Sequence, residues 1–440
     1  MRRSYPNMKR MRRLLKAAIY LPIRPSNVIR AIRLLRFAGW LPAHAAPAEE
    51  ISRILVVQPH NSLGDLVLSI PLLDQLHEQW PKAEIDLIVG NSAVTLFQQI
   101  PYLRRIVGFV PVSKKGPLAH YLNILRLIRF YRDELPDHYD LALDPRWDSD
   151  EYAYLARAII FLSGASIRLA YSGFADGVDP SLDAFITHRA TGGRNEHESI
   201  RKLKMLQRTC LSNRVPNENE PFEVNATLVT LAASDTEALV PLLRAAGIQH
   251  GERYGILAPS ASTPVKVWPI DWLAEVSRTL RQRYGLHFIA VGSSRDIDLC
   301  SRLVAASSGA VTSLAGKTSV LQLLALCRGA ALFVGNDSGP AHLSGMVGTP
   351  TVVSMVGRAP SEELDDIHAP RRFRPCGPKV RLAQPDCTLI SGNPPPVWHS
   401  AHRITDVSVD SVLACCEALL EAEISTNGEV DHSERGWNAS

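Results

Sequence analysis

The sequence predicts an α/β chain built as two facing, doubly wound domains with mostly parallel sheets and a cleft between them. Three observations lead to this. Short apolar runs recur along the chain, each followed by a polar loop and then a stretch of helical periodicity, the alternation that builds parallel sheets. The alternation comes in two separate series, within residues 51–215 and 251–405. The chain also has 440 residues, 46% hydrophobic and 21% charged, more than one core usually fills.

The first 36 residues hold 11 Lys/Arg and no acid, which leaves 37 basic against 44 acidic residues in the rest. A mildly acidic body behind a basic leader does not read as a nucleic-acid-binding protein. In the leader, Val28, Ala31, Ile32 and Leu35 fall on one helical face and Arg30, Arg33 and Arg36 on another. That pattern suits a helix lying on an anionic bilayer, and equally a solvated extension or a helix packed on the body. Arginines interrupt the apolar run that a signal peptide needs, and no stretch is long and apolar enough to span a membrane. Seven scattered cysteines fit a reducing cytosol better than a disulfide framework. Residues 1–49 therefore read as leader and linker.

The first series opens with the buried-strand run Ile51–Val57, a loop, and a helix from Asp65. Strands are expected at Ile85–Val89, Arg105–Phe109 and Leu141–Asp144, with helices at Pro71–Gln79 and Leu118–Arg132. Residues 216–250 read as a connection. The second series runs through strand Tyr254–Ala258, helix Asp271–Tyr284, strand His287–Val291, helix Asp296–Ser307, strand Val311–Leu314, helix Leu321–Arg328 and strand Ala331–Val334, and ends with strand Thr351–Met355. A terminal helix is expected within 406–424 and a disordered tail over 425–440.

In such sheets ligands lie beyond the carboxyl ends of the strands, so the loops there are searched for chemistry. In Gln58–Asp65, Asp65 reads either as a helix N-cap or as a general base. The loop Pro259–Pro269 offers hydroxyls and Lys266, which is either solvated or a phosphate ligand. Gly292–Asp296 places Asp296 at a helix start, where it can favour the helix terminus, accept bonds from ribose hydroxyls, or do both. In Leu332–His342 a buried strand gives way to Asn336, Asp337, Ser338, Gly339 and Pro340. This turn reads as an anion site at a helix N-terminus, with His342 either packed or in contact with the same ligand.

Together these segments resemble glycosyltransferase family 9, the heptosyltransferase group. The matching residues are Ser62-Leu-Gly-Asp65 through Pro71, Pro259-Ser-Ala-Ser with Lys266-Val-Trp-Pro269, Gly316-Lys-Thr-Ser319, and Asp337-Ser-Gly-Pro-Ala-His342. The resemblance covers roughly residues 51–415 and implies a GT-B fold. The acceptor would then bind mainly to the N-terminal domain and the nucleotide-sugar to the C-terminal domain, with inversion at the anomeric carbon and no metal or cofactor. It implies Asp65 as base, Ser262 and Lys266 on the diphosphate, and Asp296 on ribose. Thr318 would lie at the base, Asp337 at the sugar hydroxyls, and Ser338, Gly339 and His342 around the phosphates.

The implied reaction is transfer of a sugar, most simply heptose from ADP-heptose, to a lipopolysaccharide-core or related surface glycan. It would take place in the cytoplasm, with residues 1–36 resting on the inner membrane. Arg146, Asp148 and Asp150 read as acceptor contacts or as a solvated loop. Arg358-Ala-Pro-Ser-Glu-Glu departs from the family pattern. That departure keeps open a nucleotide-sugar-binding protein without transferase activity, and the fold, because related two-domain folds host epimerisation, keeps open a GT-B-fold sugar epimerase. Cys376, Cys387, His399 and His402 match no standard zinc spacing.

Overall fold

The computed structural model describes residues 50–109, 138–146, 153–172, 180–193, 196–217, 219–234, 236–249, 251–356, 370–385 and 403–427, with isolated residues at 29, 32–33, 129–130 and 133–135. Twelve strands are described: β1 (Arg53–Gln58), β2 (Glu84–Val89), β3 (Leu103–Gly108), β4 (Leu141–Asp144), β5 (Ile167–Tyr171), β6 (His188–Ala190), β7 (Tyr254–Ala258), β8 (His287–Ala290), β9 (Val311–Ser313), β10 (Leu332–Asn336), β11 (Thr351–Ser354) and β12 (Val380–Ala383). They form two six-stranded sheets, ordered β3-β2-β1-β4-β5-β6 and β12-β11-β10-β7-β8-β9. Every pairing is parallel. Read from the other edge, the second order repeats the first. Each sheet therefore has one switch point where strand order reverses, between β1 and β4 and between β7 and β10.

The central strands are apolar along their whole length because helices cover both faces of a parallel sheet. In β1, Ile54, Leu55, Val56 and Val57 are all fully buried, as are Ile256, Leu257, Phe333 and Val334 in β7 and β10. The core beside the first sheet includes Leu55, Val57 and Ile88 with Ile159 and Phe161 of the helix Ala153–Leu162. Ile29 and Ile32 of the leader are buried in that same cluster. The described apolar residues of the leader thus pack on the body, as one of the three expectations had it. The second core joins Trp268, Leu273 and Leu280 to Phe288, Val334 and Leu420.

The chain divides into two compact units. The first holds β1–β6 and comprises Met1–Asn61, Leu72–Gly193 and Lys202–Val215. The second holds β7–β12 and comprises Ser62–Pro71, Arg194–Arg201 and Pro216–Ser440. The stretch read as a connection contains the helices Ala226–Ser234 and Thr236–Ala245, which pack on the helix Val320–Gly329 within the second unit.

Three strands escape the sequence reading. β5 contains Arg168, whose guanidinium donates to the Phe185 and Ala165 carbonyls. β6 is three residues long, and β12 is an edge strand that alternates half-buried and exposed positions. The second series therefore does not end at Thr351–Met355. The last helix runs Val409–Asn427, into the segment expected to be a disordered tail. The expected helix at 118–132 lies almost entirely outside the described residues, and no helix among those described is long and apolar enough to cross a membrane.

Candidate active site

The switch point of the second sheet is where the predicted residues gather. β10 ends at Asn336, and the chain turns through Asp337 and Ser338 into the helix Gly339–Met346. Across the switch point, the loop after β7 turns through a short 3₁₀ segment at Pro264–Lys266. Asn336 ties the two together: its side chain accepts from the Trp268 amide at 3.0 Å and donates to the Pro259 carbonyl at 2.8 Å. Trp268 is itself buried, with its indole N–H on the Val407 carbonyl at 2.8 Å. The sequence reading named neither contact of Asn336, although a polar residue closing a buried strand was the available signal.

On this frame Lys266 Nζ lies 2.6 Å from Asp337 Oδ2, and His342 Nε2 lies 3.7 Å from Asp337 Oδ1. Burial would raise the Asp337 pKa, but the His342 hydrogen bond and the Lys266 charge outweigh it and hold the carboxyl at about 2. The carboxylate stays ionised at any physiological pH. His342 is buried, and its Nδ1 has no partner among the described residues. Ser338 Oγ donates to the Asn336 carbonyl at 3.2 Å. The Ala341 and His342 amides go to the Ser338 carbonyl and Pro340 has none, so the Ser338 and Gly339 amides are the donors left for an anion at this helix start.

Asp65 belongs to the same compact unit. It is the third residue of the helix Leu63–Val67 and half-buried, with Ser62 in the N-cap position, so the N-cap alternative for Asp65 does not hold. A Cβ on Gly64 would stand 2.8 Å from His342 Cδ2, and one on Gly339 would stand 3.0 Å from Leu63 Cβ. The two helices touch through hydrogen-only surfaces, which brings Gly64, the residue beside Asp65, against the imidazole of His342.

Of the two roles expected for Asp296, the one at the helix start is present. Its Oδ2 accepts from the Ser293 amide and hydroxyl, both at 2.7 Å, completing a capping box for the following turn. Thr318 lies in the loop after β9, and that loop is tied to the Asp296 loop by the Gly316 amide on the Gly292 carbonyl at 2.9 Å. Ser262 is exposed in the loop after β7.

The first sheet's switch point carries a different set. Asp144 ends β4, and its Oδ1 accepts from the Arg146 amide at 3.1 Å. His60 is buried nearby. Burial first, then the charges of Arg146 and Lys202, push its imidazole well below the usual range, so it is neutral. Lys202 is also buried. His60 and Lys202 were not named from sequence; only His60 stood in a loop already singled out. Asp148 and Asp150 lie outside the described residues, as do Cys387, His399, His402 and the divergent stretch after Gly357. Cys376 is buried beside His197, and among the described residues no group of His, Cys, Asp or Glu is placed to hold a metal.

Two Rossmann-like parallel sheets, with a cation, a carboxylate and a helix start grouped at a switch point, place the chain in the GT-B fold class. The comparisons narrow this. The model of glycosyltransferase family 9 (heptosyltransferase) matches residues 218–363. Lipopolysaccharide core heptosyltransferase OpsX of Haemophilus influenzae is 30% identical over 324 residues, covering 72% of this chain and 84% of that protein. Lipopolysaccharide heptosyltransferase 3 of Escherichia coli strain K12 is 27% identical over 298 residues, covering 67% and 79%. Among solved structures, E. coli ADP-heptose lps heptosyltransferase II aligns with a TM-score of 0.57 at 20% identity, over 84% of this chain and 99% of that one. E. coli heptosyltransferase WaaC with ADP aligns with a TM-score of 0.59 at 15% identity, over 83% and 99%. The chain belongs to glycosyltransferase family 9 and is a glycosyltransferase.

Proposed function

We propose that this enzyme transfers heptose from ADP-heptose to a lipopolysaccharide-core or related surface-glycan acceptor, with inversion and without a metal. The observation that supports this most is the Lys266–Asp337–His342 group at the β7/β10 switch point, held by Asn336 and packed against the helix of Asp65.

Asp65 removes the proton of an acceptor hydroxyl as that oxygen attacks the anomeric carbon, and the bond from that carbon to the diphosphate breaks as the new one forms. A single displacement inverts the centre. The charge that develops on the departing ADP falls to Lys266 and the Ser338 and Gly339 amides, fixed donors that need no rearrangement as the bond breaks. Lys266 leaves Asp337 for the diphosphate when donor binds, and Asp337 then has an oxygen for a sugar hydroxyl. Asp296 keeps Oδ2 on its cap and turns Oδ1 to ribose, while Ser262 and Thr318 contact the diphosphate and the base. Arg146 serves the acceptor.

The acceptor is a membrane glycolipid, and the arginines of residues 1–36 hold the enzyme at the cytoplasmic face through anionic headgroups. Vesicle sedimentation of the intact chain against one lacking residues 1–49 tests that attachment, and equal binding rejects it. The test of the chemistry is Asp65→Ala. ADP-heptose should still protect the variant against thermal unfolding while turnover falls by about 10²–10⁴. Full turnover in the variant rejects Asp65 as base, and protection by other nucleotide-sugars but not ADP-heptose rejects the donor.

A further inference from the structure

The first unit carries a pair of positive charges that no carboxylate answers. Arg168, the second residue of β5, stands at the amino end of its sheet, the end opposite the loops of His60 and Asp144. Its Nε donates to the Phe185 carbonyl at 2.9 Å and its Nη1 to the Ala165 carbonyl at 2.6 Å, and its guanidinium carbon lies 5.4 Å from the centre of the Phe161 ring. These contacts hold the cation in place without neutralising it. Elsewhere in the unit Arg53, Arg104 and Arg157 each meet a carboxylate, that of Glu84, Asp86 and Asp183 respectively.

The charge beside Arg168 is a second arginine. Ile29 and Ile32, one helical turn apart in the leader, are buried in the core cluster that contains Phe161, Ala165 and Phe185, the residues that hold Arg168. Arg33 directly follows Ile32 and is exposed. Burial first, and then the charge of Arg33, lower the Arg168 pKa. Among the described residues neither arginine has an ion-pair partner. Two neighbouring guanidiniums with N–H groups to spare repel each other and attract a phosphate, whose oxygens both can meet.

The sequence around Arg33 points to the source of that phosphate. The first 36 residues hold 11 Lys/Arg and no acid, which complements an extended anionic surface better than a single small ion. Ile29 and Ile32 cannot enter hydrocarbon while the core of the first unit keeps them. Contact there rests on charge and headgroups rather than on insertion.

Resting on the membrane reading of the leader above, we propose that Arg33 and Arg168 form a seat for the phosphates of anionic lipid headgroups, so that the body of the first unit, and not the leader alone, meets the bilayer. The test is sedimentation of the full chain with phosphatidylcholine vesicles that contain or lack phosphatidylglycerol, beside Arg33→Gln, Arg33→Glu and Arg168→Gln. The unaltered chain should follow the phosphatidylglycerol vesicles only, and high salt should release it. Arg33→Gln and Arg168→Gln should each weaken binding about fivefold. Arg33→Glu should weaken it further and yet raise the unfolding midpoint, because a carboxylate then stands beside Arg168. Arg168→Gln that folds and binds like the unaltered chain overturns the seat and leaves the leader reading standing. If Arg168→Gln does not fold, Arg33→Glu decides, and an unraised midpoint or unchanged vesicle binding overturns the seat. Equal binding to both kinds of vesicle overturns it too, and failure of the unaltered chain to bind either overturns the leader reading along with it.

Discussion

The second unit contains two charged clusters of similar composition, and they differ in what can reach them. In one, Arg201 and Arg372 donate to the two oxygens of Glu198, at 2.7 and 2.9 Å, with all three side chains at most 2% exposed. In the other, Lys266 and Asp337 pair at 2.6 Å with side chains 23% and 10% exposed. The first cluster is sealed. It stitches the 196–201 segment to the 370–376 segment, assisted by the His197 bond to the Arg374 carbonyl and by Ser199 on the Leu68 carbonyl. Its charges have already met the partners they will keep. The second cluster keeps a lysine where an incoming anion can compete for it. Similar ionic chemistry thus fixes the fold in one place and awaits a substrate in the other.

The largest expected effect breaks the sealed cluster. Glu198→Gln removes the carboxylate that two buried guanidiniums share, and the loss of one partner of a buried pair costs about 3–5 kcal/mol. Urea unfolding should show this, while ADP affinity measured on the folded protein stays put. A change below about 1 kcal/mol would mean that other contacts already satisfy both arginines. Lys266→Ala should invert the pattern. Lys266 keeps contact with solvent, so its removal should cost less stability than breaking the sealed pair, whereas loss of a fixed donor to a leaving diphosphate lowers kcat/KM by about 10²–10³. Equal damage to stability and turnover in either variant would erase the distinction between the clusters.

Much of the fold was legible, and the reason lies in the central strands. β1, β7 and β10 are buried on both faces, and such strands announce themselves as apolar runs whatever surrounds them. β5, β6 and β12 did not, because flanking strands are short and exchange apolar residues for Arg168, His188 or Arg381 wherever a side chain reaches solvent. The site was legible where the chemistry is local, as in Asp337 through His342, or quoted by the family pattern, as in Lys266. The Glu198–Arg372 bond joins residues 174 positions apart, and nothing in either segment points to the other.

The sealed cluster also makes stability depend on pH. His197 is buried against the Arg374 carbonyl and Phe222. Burial, the largest influence, lowers its pKa to about 4, with the Arg374 carbonyl bond opposing. An unfolded histidine titrates near 6.5. Between those values the unfolded chain takes up a proton that the folded chain refuses, so stability is full above about 6.5 and falls as pH drops toward 4. The loss from this residue at pH 5 is about 2 kcal/mol. Unfolding free energies at pH 7 and pH 5 should show it, and His197→Gln should flatten that part of the profile. Asp337 of the accessible cluster should contribute nothing at pH 5, since its carboxyl is held at about 2.

The smallest effect is the most discriminating, because Asp296 sits between the two cases. Its Oδ2 is committed to the Ser293 cap, as a sealed group would be, yet the residue is only half-buried at the edge where ribose is expected. Asp296→Ala loses the cap and should cost about 1 kcal/mol. Asp296→Asn keeps an oxygen that accepts from the Ser293 amide, and should cost a few tenths at most. If the carboxylate also holds ribose, ADP affinity falls in both variants, including the one whose fold is intact. If Asp296→Asn binds ADP as the unaltered chain does, the residue belongs with Glu198, as a structural acid placed beside a site without serving it.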